Sequence, residues 1–76
     1  MKYRERITSD PKIMLGKPII KGTRITVELI LRKLSQGAEK STLLESYPHL
    51  TENDILAVLE YASDVLSSEH MIEISS

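Results

Sequence analysis

The apolar residues of this chain change their spacing at Thr26, and that change limits what the chain can fold into. Before it, short runs at Ile13-Met14-Leu15, Ile19-Ile20 and Ile25 are broken by Gly16-Lys17-Pro18 and Lys21-Gly22-Thr23, turn signals with no helical period. After it, Val27, Ile30, Leu31 and Leu34 fall at i, i+3, i+4 and i+7, the stripe of an amphipathic helix. The front therefore reads as a β-hairpin or small β-arm over residues 7–25. Pro18 cannot donate to a sheet ladder, so it belongs at a strand start or an edge.

Three helices are expected behind the arm. The first covers residues 27–36, with Thr26 as N-cap and Gly37 as the left-handed residue beyond its end. A short second helix over 39–46 turns Leu43, Leu44 and Tyr47 inward until Pro48 stops it. The third, over 52–66, has the best-marked start: Thr51 as N-cap, Asp54 as a capping-box acid, and Leu50 with Ile55 as a hydrophobic staple. Ile55, Val58, Leu59, Ala62, Val65 and Leu66 extend its inward stripe, leaving Glu52, Glu60 and Asp64 to solvent. The expected fold class is mainly α (α+β), a single helix-turn-helix domain of three helices over residues 1–66. A tail over 67–76 is either frayed or a short strand that orders on a partner.

A domain of 76 residues without cysteine has no disulfide or thiolate metal site to add to a small core, so self-association as a homodimer is expected. Runs such as Ile55-Leu56-Ala57-Val58-Leu59 are far shorter than a membrane span, and no signal-peptide apolar stretch follows the charged start. A cytoplasmic location is expected, in keeping with the missing cysteines.

The overall charge of -1 hides a strong asymmetry. All ten basic residues lie at or before Lys40, against four acids, Glu5, Asp10, Glu28 and Glu39; the seven remaining acids all follow Lys40. Two surfaces facing different partners are one consequence; attraction between the two halves within a dimer is another.

No reaction centre is expected. There is no cysteine nucleophile, His49 sits in a turn and His70 near the tail, and Glu52 and Asp54 at i, i+2 point in different directions on a helix. Gly16 and Gly22 belong to no phosphate-loop string, so they read as turn residues. The chain is expected to be non-enzymatic, with no cofactor, metal or small-molecule substrate. Nucleic acid is better supported, because Lys17, Lys21, Arg24, Arg32 and Lys33 gather on the arm and first helix, and Lys40 begins the second. The third helix opposes this with Glu52 and Asp54 at its start, so the arm and first helix should dominate any contact with double-stranded DNA. A solvated basic arm is the alternative.

Ile7-Thr8-Ser9-Asp10-Pro11, then Gly16-Lys17-Pro18-Ile19-Ile20-Lys21-Gly22-Thr23-Arg24-Ile25, resembles the bacterial and archaeal family known as domain of unknown function 433. The likeness continues through Gly37, Tyr47-Pro48-His49-Leu50-Thr51, Asp54-Ile55, Ala57 and Leu59-Glu60-Tyr61-Ala62. It implies a homeodomain-like or winged-helix-like helix-turn-helix with an N-terminal β segment, usually dimeric. It also implies likeness to VapB-type antitoxins, which bind a PIN-domain ribonuclease toxin and commonly repress their own operon. Gly16, Pro18, Gly22, Thr23 and Arg24 match the motif and would shape the arm and its interface. Thr23 thereby joins the cations as a DNA-contact candidate, and Arg24 makes a charged contact with a phosphate or a carboxylate, or else an intramolecular salt bridge with an acid of helix three. Glu39 departs from the family's Ser or Thr cap, so helix two should start more loosely. The chain also lacks Lys or Arg after residue 40, so its tail cannot neutralise an acidic toxin site. Met71, Ile72 and Ile74 would instead dock on the toxin body while a basic arm residue enters that site. A dimeric interaction module without DNA binding is the competing reading.

Overall fold

Local signals decide where each helix begins and ends. In the computed structural model, which describes residues 3–68, helix α1 spans Val27–Ser35, α2 Lys40–Ser46 and α3 Glu52–Ser68. The hydroxyl of Thr26 accepts the N–H of Leu29 at 3.0 Å, the N-cap bond expected at α1. At its other end Gly37 is left-handed at φ +94, with Gly37 N–H bonded to the Leu34 carbonyl and Ala38 N–H to that of Lys33. That pair of bonds is a Schellman motif. A Cβ on Gly37 would meet open space, so Gly37→Ala is expected to cost about 1 kcal/mol through backbone strain alone, read from denaturant unfolding.

Helix α2 starts as the missing Ser or Thr suggests: Glu39 is its N-cap but makes no side-chain cap bond. Helix α3 carries the full capping box. Thr51 N–H donates to Asp54 Oδ2 at 3.0 Å, and Asp54 N–H donates back to Thr51 Oγ1 at 3.2 Å.

The arm contains a two-stranded antiparallel sheet, with β1 (Ile7–Thr8) pairing β2 (Ile19–Ile20) so that Ile7 faces Ile20 and Thr8 faces Ile19. Pro18 lies immediately before β2, and its carbonyl accepts the N–H of Val27 at 2.9 Å, joining arm to α1. The run Ile13-Met14-Leu15 is not a strand. Asp10 turns the chain by accepting Lys12 N–H on its side chain at 2.9 Å and Ile13 N–H on its carbonyl at 2.8 Å, and a 3-10 turn over Met14–Gly16 follows. Met14, Leu15 and Gly16 all have positive φ, at 51, 58 and 81. For a non-glycine residue that conformation costs about 1–2 kcal/mol.

One core joins these elements. Ile7, Ile20, Val27, Ile30, Leu43, Leu50, Ile55, Ala57 and Val58 are buried together, with Ile25, Leu31, Leu34, Leu44, Tyr47 and Tyr61 packed around them. The inner face of α3 differs from the expected stripe. Asp54 is buried, and Ile55, Ala57 and Val58 follow it inward, while Leu59, Val65 and Leu66 stay exposed. The inward face is turned toward the Asp54 edge, so Ala57 joins the core on that side and Leu59 is left outside on the other. At 17 residues α3 is about 25 Å long and outruns the short α2 packed against it. No helix among the described residues is long and apolar enough to cross a membrane.

Candidate nucleic-acid and partner interface

The basic residues of the arm and first helix divide by whether an acid already holds them. Lys17 Nζ lies 2.9 Å from Glu28 Oε1 and Arg32 Nη2 lies 2.7 Å from Glu28 Oε2, so two cations share one carboxylate on the outside of α1. The hydrogen bond from Lys17, then the charges of Lys17 and Arg32, hold the Glu28 carboxyl below its ordinary value. Lys40 Nζ meets Glu52 Oε2 at 2.6 Å, tying the first residue of α2 to the first of α3 and likewise lowering the Glu52 carboxyl. All these groups are exposed, so the pairs set local geometry more than stability. Among the described residues, Lys21, Arg24 and Lys33 form no ion pair.

Lys21 and Arg24 flank a turn built to present them. Gly22 is left-handed at φ +79, and half-buried Thr23 locks the loop: its hydroxyl donates to the Ile20 carbonyl at 2.8 Å and accepts Ile25 N–H at 3.0 Å. With its hydroxyl engaged twice, Thr23 shapes the turn. Arg24 does not bridge to helix three. That link belongs to Arg6, whose Nη1 lies 3.1 Å from Asp54 Oδ1.

Arg6 is a residue that sequence reasoning missed, although one signal pointed to it. A capping-box acid spends one oxygen on its cap, and if buried it needs a second donor for the other. Tyr3 adds further ties from arm to α3. Its backbone N–H donates to Glu60 Oε1 at 2.9 Å, and its hydroxyl donates to Asp64 Oδ2 at 2.8 Å, a bond that raises the phenol above its ordinary value. Its ring meets that of Tyr61 edge-on at 5.2 Å.

A groove of about 710 Å³, also unforeseen, opens beside the turn. It gathers three stretches distant in sequence: Asp10-Pro11, Gly22-Thr23-Arg24 and Tyr47-Pro48-His49. Ile13, Ile19 and Ile25 give it an apolar lining, and Arg24 and His49 supply polar groups. The size and character suit recognition of a chain segment or small molecule. No group of three His, Asp or Glu side chains among the described residues is placed to hold a metal ion.

The start of α3 is less hostile to phosphate than its composition implied. Asp54 is buried and committed to Thr51 and Arg6, and Glu52 is neutralised by Lys40, which leaves Asn53 exposed. The tail candidates Met71, Ile72 and Ile74, together with His70, lie outside the described residues.

Comparison with known proteins agrees with this architecture. The chain is 34% identical over 59 residues to the uncharacterized protein y4eO of Sinorhizobium fredii, matching 78% of this chain and 27% of that protein. It is 57% identical over 28 residues to an uncharacterized protein of Archaeoglobus fulgidus, covering 37% of this chain and 78% of the relative. The chain thus spans about a quarter of the Sinorhizobium relative. The crystal structure of a DUF433 member protein from Anabaena variabilis superposes with a TM-score of 0.77 at 32% identity, over 83% of this chain and 62% of that one. The model of the family described as "Protein of unknown function (DUF433)" matches residues 7–62, from β1 into α3, and the chain belongs to that family.

Proposed function

We propose that this chain is a non-enzymatic, antitoxin-like binding protein that acts in the cytoplasm as a homodimer, engaging a PIN-domain ribonuclease toxin and the phosphates of operator DNA. The observation that carries the reading is the turn at Lys21 and Arg24: two exposed cations with no carboxylate partner among the described residues, held by Gly22 and Thr23 beside an apolar groove. A guanidinium so presented can pair bidentately with phosphate or with the carboxylates of a metal-dependent nuclease. The groove supports an adjoining apolar contact.

Lys17, Arg32 and Lys40 contribute less to phosphate binding than their number suggests, because each already has an acid. Lys33 adds to the footprint of Lys21 and Arg24. Alanine at Lys21 and Arg24 together is expected to weaken binding of a promoter fragment and to lower the slope of log affinity against log salt by about 2, roughly one per phosphate contact. Gel mobility at graded salt measures this, and an unchanged slope would remove the arm from the DNA interface.

The second reading, a dimeric interaction module without DNA binding, is favoured by the exposed Leu15, Leu59 and Leu66. Mobility shifts with and without the co-purified partner separate the two: no shift in either sample, with the partner retained, supports the module alone.

A further inference from the structure

Leu15 is 92% exposed, at the tip of a turn that its own backbone resists. Met14 beside it is 42% exposed and also left-handed. A chain needing only a turn gains nothing from apolar side chains there, since both backbone conformation and solvation disfavour them. The tip is nevertheless held outward by bonds from Gly16 N–H to the Ile13 carbonyl at 3.0 Å and from Lys17 N–H to the Met14 carbonyl at 3.1 Å. Lys12 and Lys17 flank it in sequence, and Lys12 is exposed and forms no ion pair among the described residues.

Helix α3 offers the complement. Leu56, Leu59, Ser63 and Leu66 recur at i, i+3, i+7 and i+10, which places them on one outward face. The three leucines are 45%, 45% and 61% exposed, and Ser63 leaves a shallow gap between Leu59 and Leu66. Glu60 edges this face. Among the described residues its carboxylate accepts the neutral N–H of Tyr3, a bond that does not cancel its charge.

From these two surfaces we infer that the Met14-Leu15 tip of one copy seats on the Leu56-Leu59-Leu66 face of α3 in a second copy, reciprocally, with Lys12 facing Glu60. The inference rests on the homodimer reading above and names its interface. Charge selects the occupant: an apolar knob beside Lys12 meets an apolar face beside Glu60, whereas α3 against α3 would bring acidic edges together. Symmetry supports it as well, because a reciprocal exchange uses each patch once per copy and closes at two chains.

The absence of cysteine makes the test direct. Leu15→Cys and Leu59→Cys, both at exposed positions, are prepared separately, mixed and mildly oxidised, so that a disulfide between positions 15 and 59 can only join two chains. The expected product is that mixed disulfide, identified by peptide mass. In parallel, Leu15→Ser should weaken the dimer about a hundredfold or more in sedimentation equilibrium, because the reciprocal contact loses two buried leucines, each contributing about tenfold, with an unchanged circular dichroism spectrum. A wild-type chain that sediments as a dimer, with cysteine variants that yield only 15–15 or 59–59 disulfides, or none, overturns this interface while leaving the homodimer reading intact. A wild-type chain that sediments as a monomer throughout overturns both.

Discussion

Ile30→Ala is expected to destabilise the domain by about 2–5 kcal/mol, a large part of the roughly 4–11 kcal/mol that a chain of this length holds in total. Ile30 is fully buried in α1, in the one core shared by α1, α2, α3 and the strands. Truncation removes three carbons from a site whose neighbours Val27, Leu43 and Val58 come from three helices, so no single element can shift to fill the space. Thermal melting by circular dichroism should fall by tens of degrees, given about 4–8 °C per kcal/mol for a domain of this size. The same change at Leu31, half-buried at the rim, should cost well under half as much. Equal losses at the two sites would mean that the core is centred elsewhere. A partner that binds only the folded chain should rescue the variant by an amount that rises with the logarithm of partner concentration, as mass action requires.

What the sequence disclosed and what it concealed follow one physical line. Features fixed within a few residues were legible: the Thr26 cap, the left-handed Gly37, the Thr51 and Asp54 box, and Pro18 at a strand start. Each depends on a bond or steric limit spanning at most five positions. Strand pairing was not legible, because a two-residue strand carries no alternation, and Ile7-Thr8 is separated from Ile19-Ile20 by an Asx turn and a strained 3-10 turn. The inner face of α3 was misplaced for a related reason. The capping role of Asp54 was legible, but its burial was not, because it depends on Arg6, 48 positions away in the chain. The cations were visible from sequence but their pairing was not: Glu28 holds both Lys17 and Arg32, whereas Lys21, Arg24 and Lys33 form no ion pair among the described residues. The groove was hidden because it exists only once the arm folds beside the Tyr47-Pro48-His49 connection.

Asp54→Ala is expected to cost about 2–3 kcal/mol and to lower the melting temperature by about 10–20 °C, although it removes only one small polar side chain. The carboxylate is 7% exposed and makes two bonds: Oδ2 accepts Thr51 N–H, and Oδ1 accepts the Arg6 guanidinium. Its negative charge also lies in the first turn of α3, where the helix dipole favours it. Arg6→Ala should cost less, about 1 kcal/mol, because the arginine is 36% exposed and the carboxylate left behind keeps its cap and can recruit water. The double variant should therefore lose less than the sum of the two, and strict additivity would show that the pair contributes nothing. The consequence for binding runs through the backbone. Arg6 presents its carbonyl to Lys21 N–H at 2.8 Å, so the clamp on Asp54 reaches the turn that carries Lys21 and Arg24. Asp54→Ala should thus weaken DNA and partner binding without altering any basic residue, and the loss should track unfolding. Lys21→Ala should weaken binding with the melting temperature unchanged. If Asp54→Ala weakened binding while the domain stayed fully folded and equally stable, the carboxylate would itself be touching the partner, and the arm would not depend on it for support.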